Sequence, residues 1–140
     1  MDFDETYAPV AKMTSLRIVL AIAAKLHFDI QQMDVETAFL NAKLKEEVYV
    51  EVPEGLTVAK GCNCLRLNRA LYGLKQSPRE WYEDINGFPQ SMSFRRLQTE
   101  NCLYFYSKDG EVCIISLYVD DLIIAGSTKA VNNERLRLCR

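Results

Sequence analysis

Apolar positions along the chain recur with two different periods. From Leu16 through Ile18, Val19, Leu20, Ile22 and Ala23 to Leu26 the spacing is helical, and Thr14 or Ser15 just ahead is a residue type that caps a helix start. Apolar side chains occupy more than one face of this segment, so it is expected to be well buried, with His27 at its end. Phe28 to Val35 reads as a strand whose apolar phase passes from Phe28 and Ile30 to Met33 and Val35. That shift predicts a bulge or strand end near Gln31-Gln32. Asp34 falls at the end of this strand, and Glu36 to Leu40 looks like a helical turn. Glu47 to Val52 alternates cleanly, Pro53-Glu54-Gly55 makes a turn, and Cys64 to Leu67 alternates again. These two stretches predict an antiparallel pair.

In the second half, Ser77-Pro78-Arg79-Glu80 predicts a helix start, with Ser77 as N-cap, Pro78 at the first helical position and Glu80 closing a capping box. Trp81, Ile85, Phe88 and Met92 follow at helical spacing, while Gly87 and Pro89 predict a kink or early end near Phe88. Cys102 to Ser107 is a strand, Lys108-Asp109-Gly110 a hairpin turn, and Glu111 to Val119 the next strand. Asp120-Asp121 then precedes a strand from Leu122 to Gly126, and residues 128–138 are expected to form an amphipathic helix through Val131, Leu136 and Leu138. The order α, β, β, β, α, β, β, β, α predicts an α+β fold: an antiparallel sheet with helices on one face.

Composition narrows this picture. The 140 residues make one domain or a piece of one, and 49% hydrophobic content is enough for a core. Lys and Arg number 17 against 19 Asp and Glu, net −2, which argues against holding nucleic acid by global positive charge. A local exception lies between Leu65 and Arg79, where Arg66, Arg69, Lys75 and Arg79 occur with no acidic residue. An ordinary solvated face explains such a run equally well. No apolar run reaches the roughly 18 residues of a membrane span, and the acidic start Met1-Asp2-Phe3-Asp4-Glu5 lacks a signal-peptide pattern. The five cysteines include Cys62-Asn63-Cys64, spaced too tightly for a zinc knuckle, and Cys113 inside an apolar strand. Reduced thiols and an intracellular, cytoplasmic setting are expected.

The chemistry sits in two adjacent carboxylates, Asp120 and Asp121, inside an otherwise apolar run. Asp favours turns, so a hairpin tip accounts for the pair. A metal site accounts for it too, because paired carboxylates repel and are held together by counter-charge. If the strands are neighbours, Asp34 joins them at one sheet edge. Mg²⁺ takes such hard oxygen ligands, and two ions roughly 3.5–4 Å apart can stabilise both oxygens of an in-line phosphoryl displacement.

Three motifs carry a resemblance. Gln32-Met33-Asp34-Val35-Glu36-Thr37-Ala38-Phe39-Leu40-Asn41, then Leu71-Tyr72-Gly73-Leu74-Lys75-Gln76-Ser77-Pro78-Arg79-Glu80-Trp81, then Tyr118-Val119-Asp120-Asp121 closely resemble a copia-type retrotransposon reverse transcriptase. Tyr7 to Ser15 and Val48 to Gly55 look like the same family, and the matches run in order over nearly the whole chain. The resemblance implies a palm with part of the fingers, acting as an RNA-directed DNA polymerase. Asp34 and Asp120 would hold two Mg²⁺ ions (Mn²⁺ in their place), with Asp121 the third catalytic carboxylate and also at the metal site, and the Val35 carbonyl contributing to one ion. Phe39 looks like the family's steric gate against ribonucleotides, although a buried Phe is also an ordinary core residue. Tyr72, Gly73 and Lys75 would line the nucleotide side of the cleft, and Arg66, Arg69 and Arg79 would contact phosphates. The implied partners are an RNA or DNA template with primer, deoxynucleoside triphosphates and the remainder of a Pol polyprotein, with no membrane, in a virus-like particle when the element is intact.

Residues 1–140 are expected to form a single fragment of this domain. The family's basic segment upstream of Tyr-Ala-Pro-Val has no counterpart before Met1, and thumb, ribonuclease H and integrase regions have none after Arg140. Pro89, and Ser93 where the family tends to have Gly, also depart from the pattern. The alternative expectation is a non-catalytic, truncated retrotransposon remnant that at most binds nucleic acid. An unrelated α+β binding domain with an Asp turn is the third.

Overall fold

The computed structural model describes residues 8–128; Tyr7 and the amphipathic segment beyond Thr128 lie outside the described residues. The elements run α1 (Met13–Leu26), β1 (Asp29–Asp34), α2 (Ala38–Asn41), β2 (Lys43–Glu51), β3 (Cys64–Arg69), α3 (Ser77–Ser91), β4 (Arg95–Arg96), β5 (Leu103–Lys108), β6 (Glu111–Tyr118) and β7 (Asp121–Gly126). Two compact units share them: Thr37–Asp84, and Ala8–Glu36 together with the residues from Ile85 onward.

The larger unit is built on a five-stranded sheet of order β1-β7-β6-β5-β4, every described pair antiparallel. Its hairpins follow from turn chemistry. Asp109 and Gly110 take φ of 53° and 79°, both left-handed, as a two-residue type I′ turn requires. Beside the β6–β7 hairpin, a Cβ on Gly126 would fall 2.5 Å from the Val112 carbonyl oxygen, so only glycine fits there. Tyr104, Ile115, Leu122 and Ile124 are fully buried at the sheet centre.

The sheet is covered on both faces, which corrects the expectation of helices on one face. Cross-strand partners share a face, so Leu103, Ile114 and Ala125 lie on one side, where Val19, Ala23 and Phe28 pack. Tyr104 lies on the other, and its hydroxyl donates to Asn86 Oδ1 of α3 at 2.8 Å, while the rings of Phe94 and Tyr106 meet at 5.4 Å. Both faces carry large apolar residues, and each needs a cover.

Three other expectations change in this unit. α1 is not well buried: only Val19 and Ala23 are enclosed, and Ile18 and Leu26 are 60% and 54% exposed. One narrow stripe of a helix meets a sheet, and apolarity elsewhere on its surface does not supply a second neighbour. Ser15 does not cap it but donates to Glu100 Oε2 at 2.8 Å, whereas His27, at φ 52°, does end it. β1 has no bulge: pairing with β7 runs unbroken from Asp29↔Gly126 to Asp34↔Asp121. Gln31, Met33 and Val35 share the half-buried phase, and Ile30 is exposed.

The Thr37–Asp84 unit rests on a two-stranded sheet, β2 with β3, whose register shifts between Lys43 and Val48. Neither strand carries a buried residue; the unit's enclosed side chains are Ala38, Phe39, Ala42, Ala70, Ser77 and Trp81. Ser77 is not an N-cap. It lies inside the first turn of α3, where its hydroxyl donates to the Leu71 carbonyl at 2.6 Å and accepts from the Leu71 N–H at 3.1 Å; the Gln76 carbonyl takes the Glu80 N–H. α3 also runs on through Gly87 and Pro89 to Ser91. Pro89 sits in the last turn, and its carbonyl still accepts from Met92 and Phe94 at 3.1 and 3.0 Å. Ser93 then adopts φ 70°, a left-handed terminal position that suits glycine.

Candidate active site

Three strands of the larger unit bring the carboxylates together. Asp34 ends β1, Asp121 begins β7, and the two are direct cross-strand partners. Tyr118 pairs with Asp121 across the β6–β7 hairpin, leaving Val119 and Asp120 as its two turn residues. Alternation then puts Asp34, Asp121 and Tyr118 in one row on one face. The Val35 N–H donates to the Asp120 carbonyl at 2.9 Å, which ties the strand end to the turn. Asp34 is exposed, Asp120 and Asp121 are half-buried, and Oδ1 of Asp120 is enclosed. Asp120-Asp121 therefore lies at a hairpin tip, as the turn reading expects, with Asp34 opposite Asp121.

Two residues to which the sequence assigned no role at the site complete this corner. Val119 has φ 54°, a position that favours glycine and is a true outlier for a β-branched residue. Such strain costs about 1–3 kcal/mol and persists where surrounding structure enforces it. Gln32 donates from Nε2 to Asp121 Oδ1 at 3.1 Å. Its signal was its place two residues before Asp34, which puts both on one strand face.

The donor set around the tip is all oxygen and hard, which suits Mg²⁺ or Mn²⁺. Among the described residues, no group of three or more His, Cys, Asp or Glu side chains is arranged to hold a metal ion. The carboxylates thus share one corner without forming a closed cage. Mg²⁺ sites of this class use one or two carboxylates and leave the remaining positions to water and substrate phosphates, so these residues fit.

The remaining candidates lie in the Thr37–Asp84 unit. Phe39 on α2 is 8% exposed, and Tyr72, 49% exposed, lies against it with ring centroids 4.5 Å apart and a 36° tilt. Gly73 takes φ 98°, with open space where a Cβ would stand, so backbone conformation rather than crowding calls for glycine. Lys75 is exposed in the following turn. The basic run is tied to its own unit: Arg66 pairs with Glu47 at 3.1 Å, Arg79 with Glu83 at 3.2 Å, and Arg69 donates to the Asn41 carbonyl. Glu83 also takes Lys45, and that hydrogen bond holds its carboxyl below the usual range, while burial pushes Glu80 up. Exposed pairs of this kind are worth about 0–1 kcal/mol, so they orient the arginines without barring a phosphate.

The four described cysteines are free thiols. Burial pushes the Cys102 and Cys113 thiols up to about 11 and about 12, which leaves them protonated and inert, as expected of Cys113. Cys62 and Cys64 are exposed, and the Cys62 thiol donates to the Cys64 carbonyl at 3.2 Å. No helix among the described residues is long and apolar enough to cross a membrane.

Residues 1–139 match the family model described as reverse transcriptase (RNA-dependent DNA polymerase). The chain is 44% identical over 133 residues to a retrovirus-related Pol polyprotein from transposon TNT 1-94 of Nicotiana tabacum, covering 94% of this chain and 10% of that polyprotein. It is 36% identical over 128 residues to the Pol polyprotein from transposon RE1 of Arabidopsis thaliana, covering 91% of this chain and 9% of the relative. A putative transposon Ty5-1 protein of Saccharomyces cerevisiae is 38% identical over 100 residues, 71% of this chain and 32% of that protein. The chain thus spans about a tenth of the plant polyproteins it matches. No solved structure matches it.

Proposed function

The chain belongs to the reverse transcriptase family, as a copia-type region, and from that premise we propose that it forms the palm and part of the fingers of an RNA-directed DNA polymerase. The reaction is addition of a deoxynucleotide to a primer 3′-hydroxyl on an RNA or DNA template. The observation that carries this reading is the register that sets Asp34 opposite Asp121 at the hairpin bearing Asp120.

Asp34, Asp120 and Asp121 are the catalytic carboxylates, and all three, with the Val35 carbonyl, would hold divalent cations. Bound there, two Mg²⁺ ions would stabilise charge on the attacking and leaving oxygens of an in-line displacement. The 3′-oxygen forms a bond to the α-phosphorus as the α–β bridging bond breaks; the hydroxyl proton and pyrophosphate leave. Phe39, with Tyr72 against it, offers an aromatic surface for the sugar. Gly73 lets the backbone approach the nucleotide, and Lys75, Arg66, Arg69 and Arg79 supply phosphate contacts that carry no sequence information. Template sequence is read by base pairing, and the rest of the Pol polyprotein supplies further nucleic-acid contacts.

A second reading is a remnant that binds nucleic acid without catalysis, through exposed basic side chains such as Arg66, Arg69 and Lys75. Primer extension on a primed RNA template separates the two. Incorporation that depends on Mg²⁺ and vanishes in Asp120→Asn is the expected result. Incorporation that persists in that variant removes the metal assignment. A wild-type chain with no incorporation but salt-sensitive primer–template binding establishes the remnant.

A further inference from the structure

Gln32 and Asp34 lie two residues apart on one face of β1, and Asp34 stands directly opposite Asp121. Gln32 is opposite Ile123, so its amide reaches diagonally along the sheet to Asp121 Oδ1 at 3.1 Å. We propose that Gln32 is a positioning residue for the Asp121 carboxylate, holding one oxygen so that the other is turned toward the divalent cations. This rests on the metal-dependent reading above.

Charge decides why an amide serves here. Asp34 and Asp121 are like charges placed directly across a strand pair, an unfavourable arrangement without a cation. A Lys or Arg at position 32 would relieve the repulsion but would also cancel the negative charge that draws a cation to the site. A neutral N–H donor satisfies one carboxylate lone pair and leaves the negative charge in place. It also restricts rotation of a side chain that is otherwise only half-buried. An exposed Gln–Asp hydrogen bond contributes little to stability. Its effect should therefore appear in metal affinity, where partners that orient a ligand typically account for about 10–100-fold.

The test uses the full chain as wild type, Gln32→Met (similar length, no donor), Gln32→His (a donor retained at similar reach) and Asp120→Asn. Mn²⁺ binding is followed by loss of the free-ion electron paramagnetic resonance signal, alongside metal-free melting and, where extension occurs, the Mg²⁺ concentration giving half its maximal rate. Gln32→Met is expected to weaken Mn²⁺ binding by about 10-fold or more and to raise the Mg²⁺ requirement, with metal-free melting unchanged. Gln32→His is expected to recover most of the affinity. Wild-type affinity in Gln32→Met, with binding lost in Asp120→Asn, overturns the role of Gln32 and leaves the metal reading intact. A Gln32→Met chain that melts well below wild type assigns the residue to sheet stability and also overturns it. Absence of saturable Mn²⁺ binding in the wild type overturns the metal reading and this proposal together.

Discussion

In the sheet unit, Asp34 and Asp121 are opposed by a backbone hydrogen-bond ladder, with Ile115, Leu122 and Ile124 excluded from water in the strands beside and beneath them. In the Thr37–Asp84 unit, Tyr72 and Lys75 ride on turns, the arginines are steadied by exposed partners, and neither β2 nor β3 buries a side chain. The first arrangement fixes the backbone positions of both aspartates through the ladder. The second relies on a ring contact and on ion pairs; the pairs are worth about 0–1 kcal/mol each and can be rearranged at low cost.

The largest expected effect tests the sheet. Ile115→Ala should lower stability by about 2–5 kcal/mol in urea unfolding, as truncation of a fully buried Ile does. Val48→Ala, at a half-buried position of β2, should lose less than about 1.5 kcal/mol; equal losses would erase the contrast between the units. The next effect tests recognition. Phe39→Ala should raise ribonucleotide use relative to deoxyribonucleotide use about tenfold, roughly 1.4 kcal/mol of discrimination. An unchanged ratio in single-nucleotide incorporation would leave Phe39 only as the support of Tyr72. The smallest concerns the end of α3. Ser93→Gly should stabilise the chain by about 1 kcal/mol, because φ 70° costs an L-residue and not glycine. An unshifted urea midpoint would show that this position is unstrained.

Local chemistry made much of the fold legible. Asp109-Gly110 declared its hairpin, His27 ended α1, and alternation from Val48 and from Leu65 announced the β2–β3 pair. Asp34 was visible as a strand-end carboxylate. What stayed hidden depends on partners distant in sequence. Met33 and Val35 show their phase only once β7 lies alongside; without it, Ile30 reads as a core residue and a bulge is invoked. The apolar surface of α1 does not say which stripe meets the sheet. Ser77 is a plausible cap by local rules, yet the backbone of Leu71 claims its hydroxyl. Gln32 was read only as a motif member and the place of a bulge, because its bond to Asp121 spans two strands far apart in the chain.

The ladder between β1 and β7 carries a consequence for how such a chain can vary. Asp34 and Asp121 are the two ends of an excursion through residues 35–120, closed by their pairing and by the Val35–Asp120 hydrogen bond. Closing a loop costs chain entropy that grows only with the logarithm of its length, about 0.6 kcal/mol for each doubling. Insertions in the excursion's surface turns therefore hardly tax the meeting of its ends. A single residue gained or lost within β1 or β7 would instead turn one aspartate to the opposite face. Length can drift between the acids, while the ladder that joins them tolerates no slip.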